Sequence, residues 1–405
     1  MLPLPKYALR VAALLALALG ARTPKLGAQD VFSGAASVEG RAFPSGGLYP
    51  GQHDAFGSVT LEPELFWSTA DGRHALTFAP FVRLDGGDSE RTHVDLREAY
   101  WRTYGGAWEL EAGLLRTFWG VTESQHLVDV VNQTDQVENT DGEDKLGQPA
   151  IHGTWLADWG TIDVYVMPRF RERTFPGAEG RFRFPLLIDE DAAEIERTLG
   201  VAARWSHFIG PLDLGVSSFH GTARDPRFKV VGSAENPTGF APVYERIHQL
   251  SVDAQLTSGG WLWKLEAITR SGQGDRFQAF TGGLEYTLGN VGNSGLDIGL
   301  LAEYSHDTRA SDFTAPLVAV SVFDNDLFMG GRFALNDVQS TAILAGAVVD
   351  VELATVSWLV EASRRVGESF TADFEVRAVA NADPEDPLYL FRRDSYGQLG
   401  LSWYY

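Results

Sequence analysis

The segment 118–149 contains a group of residues that could bind an ion. Five acidic side chains fall within ten positions of it: Asp135, Glu138, Asp141, Glu143 and Asp144. Carboxylate oxygens are the ligands that Ca²⁺ and Mg²⁺ prefer, but the run Asp141-Gly142-Glu143-Asp144 does not have the spacing of an EF-hand loop. Three interpretations stand: a solvated surface loop, which the pattern favours, a segment folded into the interior, or a metal site. We expect no metal ion and no cofactor.

The histidine and nucleophile patterns give little support to an enzyme. The nine histidines are scattered and form no H-E-x-x-H pair, and no G-x-S-x-G turn is present. His126 and Asp129 lie three residues apart in 118–149, and we interpret both as ordinary loop residues. The absence of cysteine excludes thiol nucleophiles and Cys-ligated metal centres. We therefore expect no enzyme; the alternative is one whose catalytic groups are spread over loop bases.

The elements that must position these residues are predicted from a strict alternation of apolar and polar side chains. In one segment Leu250, Val252, Ala254 and Leu256 alternate with Ser251, Asp253 and Gln255. A period of two indicates a strand with one apolar and one polar face. These segments run about ten to thirteen residues, longer than an ordinary strand and long enough to cross a bilayer at a tilt.

Eighteen strands are predicted in this way. They are 31–43, 56–69, 73–85, 92–104, 107–117, 150–158, 160–170, 196–208, 211–222, 243–257, 260–273, 275–288, 296–308, 322–336, 338–351, 353–366, 368–380 and 393–405. The segments 31–43, 150–158 and 338–351 alternate poorly, so sixteen strands are the alternative.

The predicted connections are sorted by length. Those after even-numbered strands are short, whereas most of those after odd-numbered strands are long. The long ones are 44–55, 118–149, 171–195, 223–242, 309–321 and 381–392. Short turns on one rim and long loops on the other are typical of an outer-membrane barrel. We therefore predict an all-β fold: a transmembrane, antiparallel, up-and-down β-barrel with short periplasmic turns and long extracellular loops.

The N-terminus has the pattern of a secretion signal. Lys6 and Arg10 precede an apolar run of eleven residues, Val11 to Ala21, which is too short to span a bilayer. We expect a signal peptide at 1–28 and a single barrel at 29–405, located in the outer membrane of a gram-negative bacterium. The net charge of −21 argues against a nucleic-acid partner.

Aromatic residues mark the predicted membrane boundary and the end of the chain. Tryptophans favour the interface between membrane and water, and six lie beside short turns or the C-terminus: Trp67, Trp108, Trp159, Trp205, Trp261 and Trp403. The last strand carries Leu399, Leu401, Trp403 and Tyr405 at every second position. This pattern resembles the insertion signal of outer-membrane barrels, and the resemblance implies outer-membrane lipid and the barrel-assembly machinery as partners.

A wider resemblance covers residues 56–135. The motifs are Leu61-Glu62-Pro63-Glu64-Leu65, Asp95-Leu96-Arg97-Glu98-Ala99-Tyr100, Gly113-Leu114-Leu115-Arg116-Thr117-Phe118-Trp119-Gly120 and Leu127-Val128-Asp129-Val130-Val131-Asn132-Gln133-Thr134-Asp135. They resemble porin-like outer-membrane barrels of the alginate-export type or their uncharacterised relatives. Those families usually place a proline soon after the asparagine, where this chain has Gln133. The resemblance implies the barrel fold and says little about the solute.

The polar faces of the strands are predicted to line a lumen with fifteen acids and seven bases. Such an excess disfavours anions, unless cross-paired charges merely rigidify the wall. Eight residues are predicted to shape the constriction: Glu62, Glu64, Arg97, Glu109, Glu111, Arg116, Arg169 and Arg204. We expect a porin-like channel for passive diffusion of small hydrophilic solutes, either monomeric or homo-oligomeric. The alternative is a closed barrel with a structural or surface-interaction role.

Overall fold

The computed structural model describes residues 31–233, 235–309 and 321–405. The predicted signal peptide, 1–28, lies outside the described residues. Eighteen long antiparallel strands form one sheet. In chain order they are β1 Val31–Ala42, β2 Ala55–Ser68, β3 His74–Asp85, β4 His93–Tyr104, β5 Trp108–Leu115, β6 Gln148–Ala157, β7 Gly160–Met167, β8 Gly200–Ile209, β9 Leu212–Thr222, β10 Arg246–Ser258, β11 Trp261–Ser271, β12 Phe277–Leu288, β13 Asp297–Asp307, β14 Asn325–Ala334, β15 Ala342–Asp350, β16 Val356–Val366, β17 Phe370–Ala380 and β18 Tyr396–Tyr404.

The sheet closes on itself. Strand β1 pairs with β2 on one side and with β18 on the other, so that Ser37 lies opposite both Thr60 and Ser402. Closure removes the unpaired strand edges that an open sheet would expose. The prediction of an eighteen-stranded barrel is confirmed, and the sixteen-stranded alternative is wrong: the three poorly alternating segments form β1, β6 and β15.

The two faces of the wall differ sharply in polarity. Large apolar side chains are exposed on the outside, among them Val59, Leu65, Leu250, Trp263, Met329 and Leu399. Polar side chains at the alternate positions are buried inside, among them Ser58, Thr60, Asp253, Glu266 and Glu303. An apolar exterior matches a hydrocarbon surrounding, because the ladders pair the backbone groups of the wall except where they are interrupted near Pro63 and Pro80.

The turns differ between the two rims. On one rim Gly210, Gly259 and Gly367 adopt positive φ angles of 62°, 60° and 69° in tight connections, a conformation that glycine takes without strain. The long connections contain most of the remaining short elements. These are the strands Gln133–Thr134, Lys145–Leu146, Glu194–Ile195, Arg227–Ser233 and Asn236–Tyr244 and the 3₁₀ turns Glu190–Ala192 and Pro387–Phe391. The 3₁₀ turn Val291–Asn293 lies in the short connection between β12 and β13.

Helices contribute little to the described residues. None of the helical turns there is long or apolar enough to cross a membrane.

A bulge in β4 affects the position of Arg97. Ala79 lies opposite Glu98 and Pro80 lies opposite Leu96, which leaves Arg97 as the extra residue. Pro80 has no N–H group to give to a ladder, and such interruptions accompany bulges. The bulge therefore positions Arg97 for the site described next.

Candidate functional site

The longest connection of the barrel folds into the lumen. We call residues 116–147, between β5 and β6, the inner loop. Its central residues Val128, Val131 and Asp135 are 2% exposed or less. The interpretation of this segment as a solvated surface loop is therefore wrong, because the wall supplies partners for both its acidic groups and its backbone N–H groups.

Two wall glutamates hold the first half of the inner loop. Glu266 of β11 accepts hydrogen bonds from the N–H groups of Val121 at 2.7 Å and Thr122 at 3.1 Å through Oε1, and from that of Val128 at 3.1 Å through Oε2. Glu303 of β13 accepts from the N–H groups of residues 123 and 124 at 2.8–3.0 Å. We call Glu266 and Glu303 the glutamate clamp. It satisfies buried backbone donors that have no strand partner.

Arginines on another part of the wall hold the second half. Arg83 of β3 contacts Glu138 through Nη2 at 2.6 Å and Glu39 through Nη1 at 2.7 Å. Arg97 of β4 contacts Asp135 at 2.6 Å. Charge-assisted hydrogen bonds of this kind are strong and directional. The inner loop is thus held between β3–β4 and β11–β13, so it lies across the lumen.

Apolar packing fills one side of the lumen beneath the loop. Trp119, Val128, Val130 and Val131 of the inner loop form a buried cluster with inward-facing residues of β5–β12. The wall members of this cluster include Leu115, Tyr165, Met167, Phe219 and Ile268. Burial of this apolar surface opposes release of the loop into solvent.

A polar cavity of about 160 Å³ lies on the opposite side of the inner loop. Five arginines line it, and we call them the arginine face: Arg41, Arg83, Arg91, Arg97 and Arg116. Four acids also line it: Glu39, Glu62, Glu138 and Asp144. The wall therefore contributes charges of both signs to the cavity, and the inner loop contributes Arg116, Glu138 and Asp144.

The acids of the inner loop titrate very differently. Burial raises the pKa of Asp144, and the negative charges of Asp141 and Glu138 raise it further, to about 7. Burial would also raise the pKa of Asp135. Hydrogen bonds from His93 and Thr174 and the charge of Arg97 outweigh that effect and lower it to about 2. At neutral pH Asp135 is fixed as a carboxylate, whereas Asp144 is only partly ionised.

His93, Asp135 and Glu138 are close enough to suggest a metal centre, with their ligand atoms within 4.8 Å of one another. Both carboxylates are already engaged, Asp135 by Arg97 and Glu138 by Arg83. Two guanidinium groups at these distances repel a divalent cation. The group therefore acts as an ion-paired junction between the wall and the inner loop.

The structure brings together only part of the predicted constriction. Glu62, Arg97 and Arg116 line the cavity. The other five do not line the cavity. Four of them lie at lumen-facing positions of β2, β5 and β8: Glu64, Glu109, Glu111 and Arg204. The fifth, Arg169, follows the end of β7. Glu111 instead pairs with Arg102 and His152, and Arg204 with Asp253. The predicted set is thus spread over the wall.

Sequence reasoning missed most of the arginine face. Arg83 shares the inward parity of Phe81 and Asp85, so the period of two could have revealed it. Arg91 lies in a turn before β4, where no such periodicity exists. Its contacts with Asp85 at 2.6 Å and Glu39 at 2.8 Å depend on the fold.

The predicted aromatic positions lie on the outer surface near the short turns. Trp67, Trp108, Trp159, Trp261 and Trp403 are exposed, while Trp205 donates from Nε1 to the Trp159 carbonyl at 3.1 Å. Leu399 and Leu401 of β18 also face outward, and the Tyr405 ring lies 5.1 Å from that of Trp403. Their roles in the membrane boundary and in insertion stay predictions.

A second long connection covers the rim opposite the short turns. We call residues 171–195 the cover loop. Its Arg181, with a side chain only 2% exposed, donates to Asp394 at 2.7 Å and to the Ser45 carbonyl at 3.1 Å. Its Phe182 ring packs against Phe43 and Tyr396. The cover loop thus joins β7 to the seam between β1 and β18 across the mouth.

Solved structures resemble this barrel despite low sequence identity. Wzi of Escherichia coli, described as a carbohydrate-binding outer-membrane β-barrel involved in group 1 capsule assembly, has a TM-score of 0.54 at 12% identity, covering 97% of this chain and 86% of its own. OccK11 (OpdR) of Pseudomonas aeruginosa has a TM-score of 0.53 at 10% identity, covering 93% and 95%. No family model and no curated sequence matches the chain. The chain therefore has the closed antiparallel barrel fold of bacterial outer-membrane proteins.

Proposed function

We propose that this protein lies in a bacterial outer membrane and admits small hydrophilic solutes by passive diffusion. The apolar exterior and the fold support the location. The observation that carries the proposal is the inner loop, which crosses the lumen and leaves a polar cavity of about 160 Å³ against the arginine face. A loop across the lumen narrows the route for large solutes, and the charged lining of the cavity replaces part of the hydration of small ones.

We further propose that the channel disfavours anions. Four arginines of the arginine face are paired with carboxylates, and Arg41 donates to Gln398 at 2.7 Å. Glu62 and Asp144 take part in no ion pair among the described residues. Arg41 makes no ion pair among the described residues and adds one positive charge. The five arginines nevertheless face at least seven carboxylates, since Asp85, Glu98 and Asp135 pair with them in addition to the four acids of the lining. This acidic excess favours cations.

Planar-bilayer recording of the purified protein tests both proposals. We expect discrete conductance steps and, under a potassium chloride gradient, a reversal potential with the sign of cation preference. A reversal potential of the opposite sign would contradict the charge proposal. An intact barrel that gives no steps would contradict the channel proposal.

A closed barrel that binds a surface carbohydrate is the second candidate. The cover loop favours it, because Arg181 and its aromatic neighbours join that loop across the mouth, and the Wzi barrel is described as carbohydrate-binding. Glycan-array binding in the absence of any conductance would favour this candidate. Conductance without glycan binding would favour the channel.

Outer-membrane lipid is the proposed surrounding of the exterior, and the barrel-assembly machinery is the proposed partner of β18. Formation of a homo-oligomer is left open by the sequence, and light scattering of the detergent-solubilised protein would decide it.

A further inference from the structure

We propose that His220 and His248 form a binding site for a divalent transition-metal ion on the outer surface of the barrel. The two residues lie directly opposite each other on β9 and β10. Both share the outward parity of the exposed residues Val216 and Leu250. The site is therefore separate from the lumen and does not depend on the proposed channel.

The geometry of the two rings favours chelation over a simple hydrogen bond. The two Nδ1 atoms are 3.1 Å apart, yet the ring centroids are only 4.2 Å apart. An in-line N–H···N bond of this length would hold the centroids roughly 5 Å apart, because each lone pair lies in the plane of its ring. The rings instead lie side by side, with an angle of 34° between them. The contact is therefore not an in-line hydrogen bond, and one ion placed between the two Nδ1 atoms would contact both.

A metal ion fits that position. With metal–nitrogen distances of about 2.0–2.1 Å, the observed separation of the nitrogens corresponds to an angle at the metal of about 100°. This angle lies between the octahedral and tetrahedral values. One ion can therefore bind both nitrogens without a change in the backbone register.

The ligand type selects the class of metal. Imidazole nitrogens suit Zn²⁺, Cu²⁺ and Ni²⁺, whereas Ca²⁺ and Mg²⁺ require oxygen ligands. The neighbouring Arg246 contacts the Glu196 carboxylate at 3.4 Å, and this acid offsets the guanidinium charge beside the two histidines. Water or a phosphate oxygen of a lipid headgroup would complete the coordination sphere.

The position of the site implies a structural effect of binding. His220 and His248 lie at the base of the connection between β9 and β10, which contains the strands Arg227–Ser233 and Asn236–Tyr244. A parallel pairing joins this hairpin to Glu194–Ile195 in the cover loop. A metal ion at the base would link the two strands and restrain the hairpin above them.

The test uses the full barrel in detergent without a polyhistidine tag. Electron paramagnetic resonance with one equivalent of Cu²⁺ should report two bound nitrogens. Calorimetry should show Zn²⁺ binding that weakens at least tenfold in His220→Ala and in His248→Ala. His207→Ala is the matched control, because His207 is an outward-facing histidine on β8 without a facing histidine, and it should bind like the unaltered protein.

Two results would overturn the proposal: a one-nitrogen Cu²⁺ spectrum for the unaltered protein, or equal Zn²⁺ affinity in the unaltered protein and the double variant H220A/H248A. Heat-modifiable electrophoretic mobility establishes that each variant forms the barrel before its metal affinity is compared.

Discussion

The carboxylate charge of Asp144 is poorly compensated by its surroundings. Asp144 is exposed to the cavity but enclosed by the barrel, and burial together with Asp141 and Glu138 raises its pKa to about 7. In the unfolded chain an aspartate has a pKa of about 3.9. Between these two values the folded protein keeps a proton that the unfolded chain has released. The free energy of unfolding therefore falls as the pH rises from about 4 to about 7.

Asp144→Asn should remove this penalty. We expect the variant to raise the thermal unfolding midpoint at pH 8 by roughly 2 °C, a small gain because cavity water screens the charge. At pH 4, where the carboxyl is largely protonated in the folded protein, the gain should nearly vanish. Circular dichroism in detergent at both pH values measures the difference, with Glu285→Gln as a control on the lumen face of β12. An equal shift at both pH values would contradict the assignment.

Individual residues were predictable where the period of two applies. This period correctly predicted that Glu62, Glu111 and Arg204 face the lumen. It could not show which wall residues meet, because Glu111 reaches His152 and Arg204 reaches Asp253 only through the strand register. The contact between His220 and His248 could not be predicted from the sequence for the same reason, since 28 residues separate the two histidines along the chain.

At the scale of elements, the inner loop decides what the lumen can pass. Its position depends on the glutamate clamp, in which carboxylates satisfy backbone N–H groups from residues 121–128. Removal of a buried acceptor leaves those donors unpaired, at a cost of about 1–3 kcal/mol for each group. The clamp is therefore the best point at which to loosen the loop.

Glu266→Ala should raise the single-channel conductance and its fluctuations, because the first half of the inner loop loses three backbone contacts. Single-channel recording in planar bilayers measures both quantities. Glu285→Ala is the matched control: Glu285 is a lumen-facing glutamate on β12, between β11 and β13, and it makes no hydrogen bond to the inner loop in the described structure. Identical conductance in Glu266→Ala and the unaltered protein would show that the loop does not limit passage.

The error about the inner loop has a clear physical origin. A segment with seven acids looks solvated when its sequence is read alone, because isolated carboxylates are costly to bury. Its partners are distant along the chain: Glu123 and Glu303 are 180 residues apart. Only the closed barrel brings the clamp and the arginine face to the loop.

At the scale of the whole molecule, the width of the ring explains the need for an inner loop. Eighteen strands spaced about 4.8 Å apart and tilted by about 40° give a backbone diameter of roughly 35 Å. An unfilled lumen of that width would pass large solutes. The strand order and the sorting of turns and loops were predictable, because most strands alternate clearly and most short turns contain a glycine. The strand number was predictable only to within two, because 31–43, 150–158 and 338–351 alternate poorly.

Truncation of residues 399–405 should abolish the folded barrel. The deletion removes most of β18, so β17 and β1 lose the strand that joins them and two edges stay unpaired in an apolar surrounding. Heat-modifiable electrophoretic mobility after refolding in detergent reports barrel formation. Ser402→Ala is the control, because it removes only a hydrogen bond of 2.9 Å to Ser37 within the same strand pair. A truncated protein that still shows the folded mobility would refute the closure argument.

The seam between β1 and β18 also constrains the order of assembly. It joins residues from the two ends of the described chain, so the ring is sealed only after β18 has been synthesised. The inner loop starts at residue 116 but contacts Arg377 of β17 through Asp141 at 3.1 Å. We expect the inner loop to pack against the wall while the barrel is still open, so that the barrel closes around the loop. Weakening the clamp would then slow maturation of the protein as well as widen its passage.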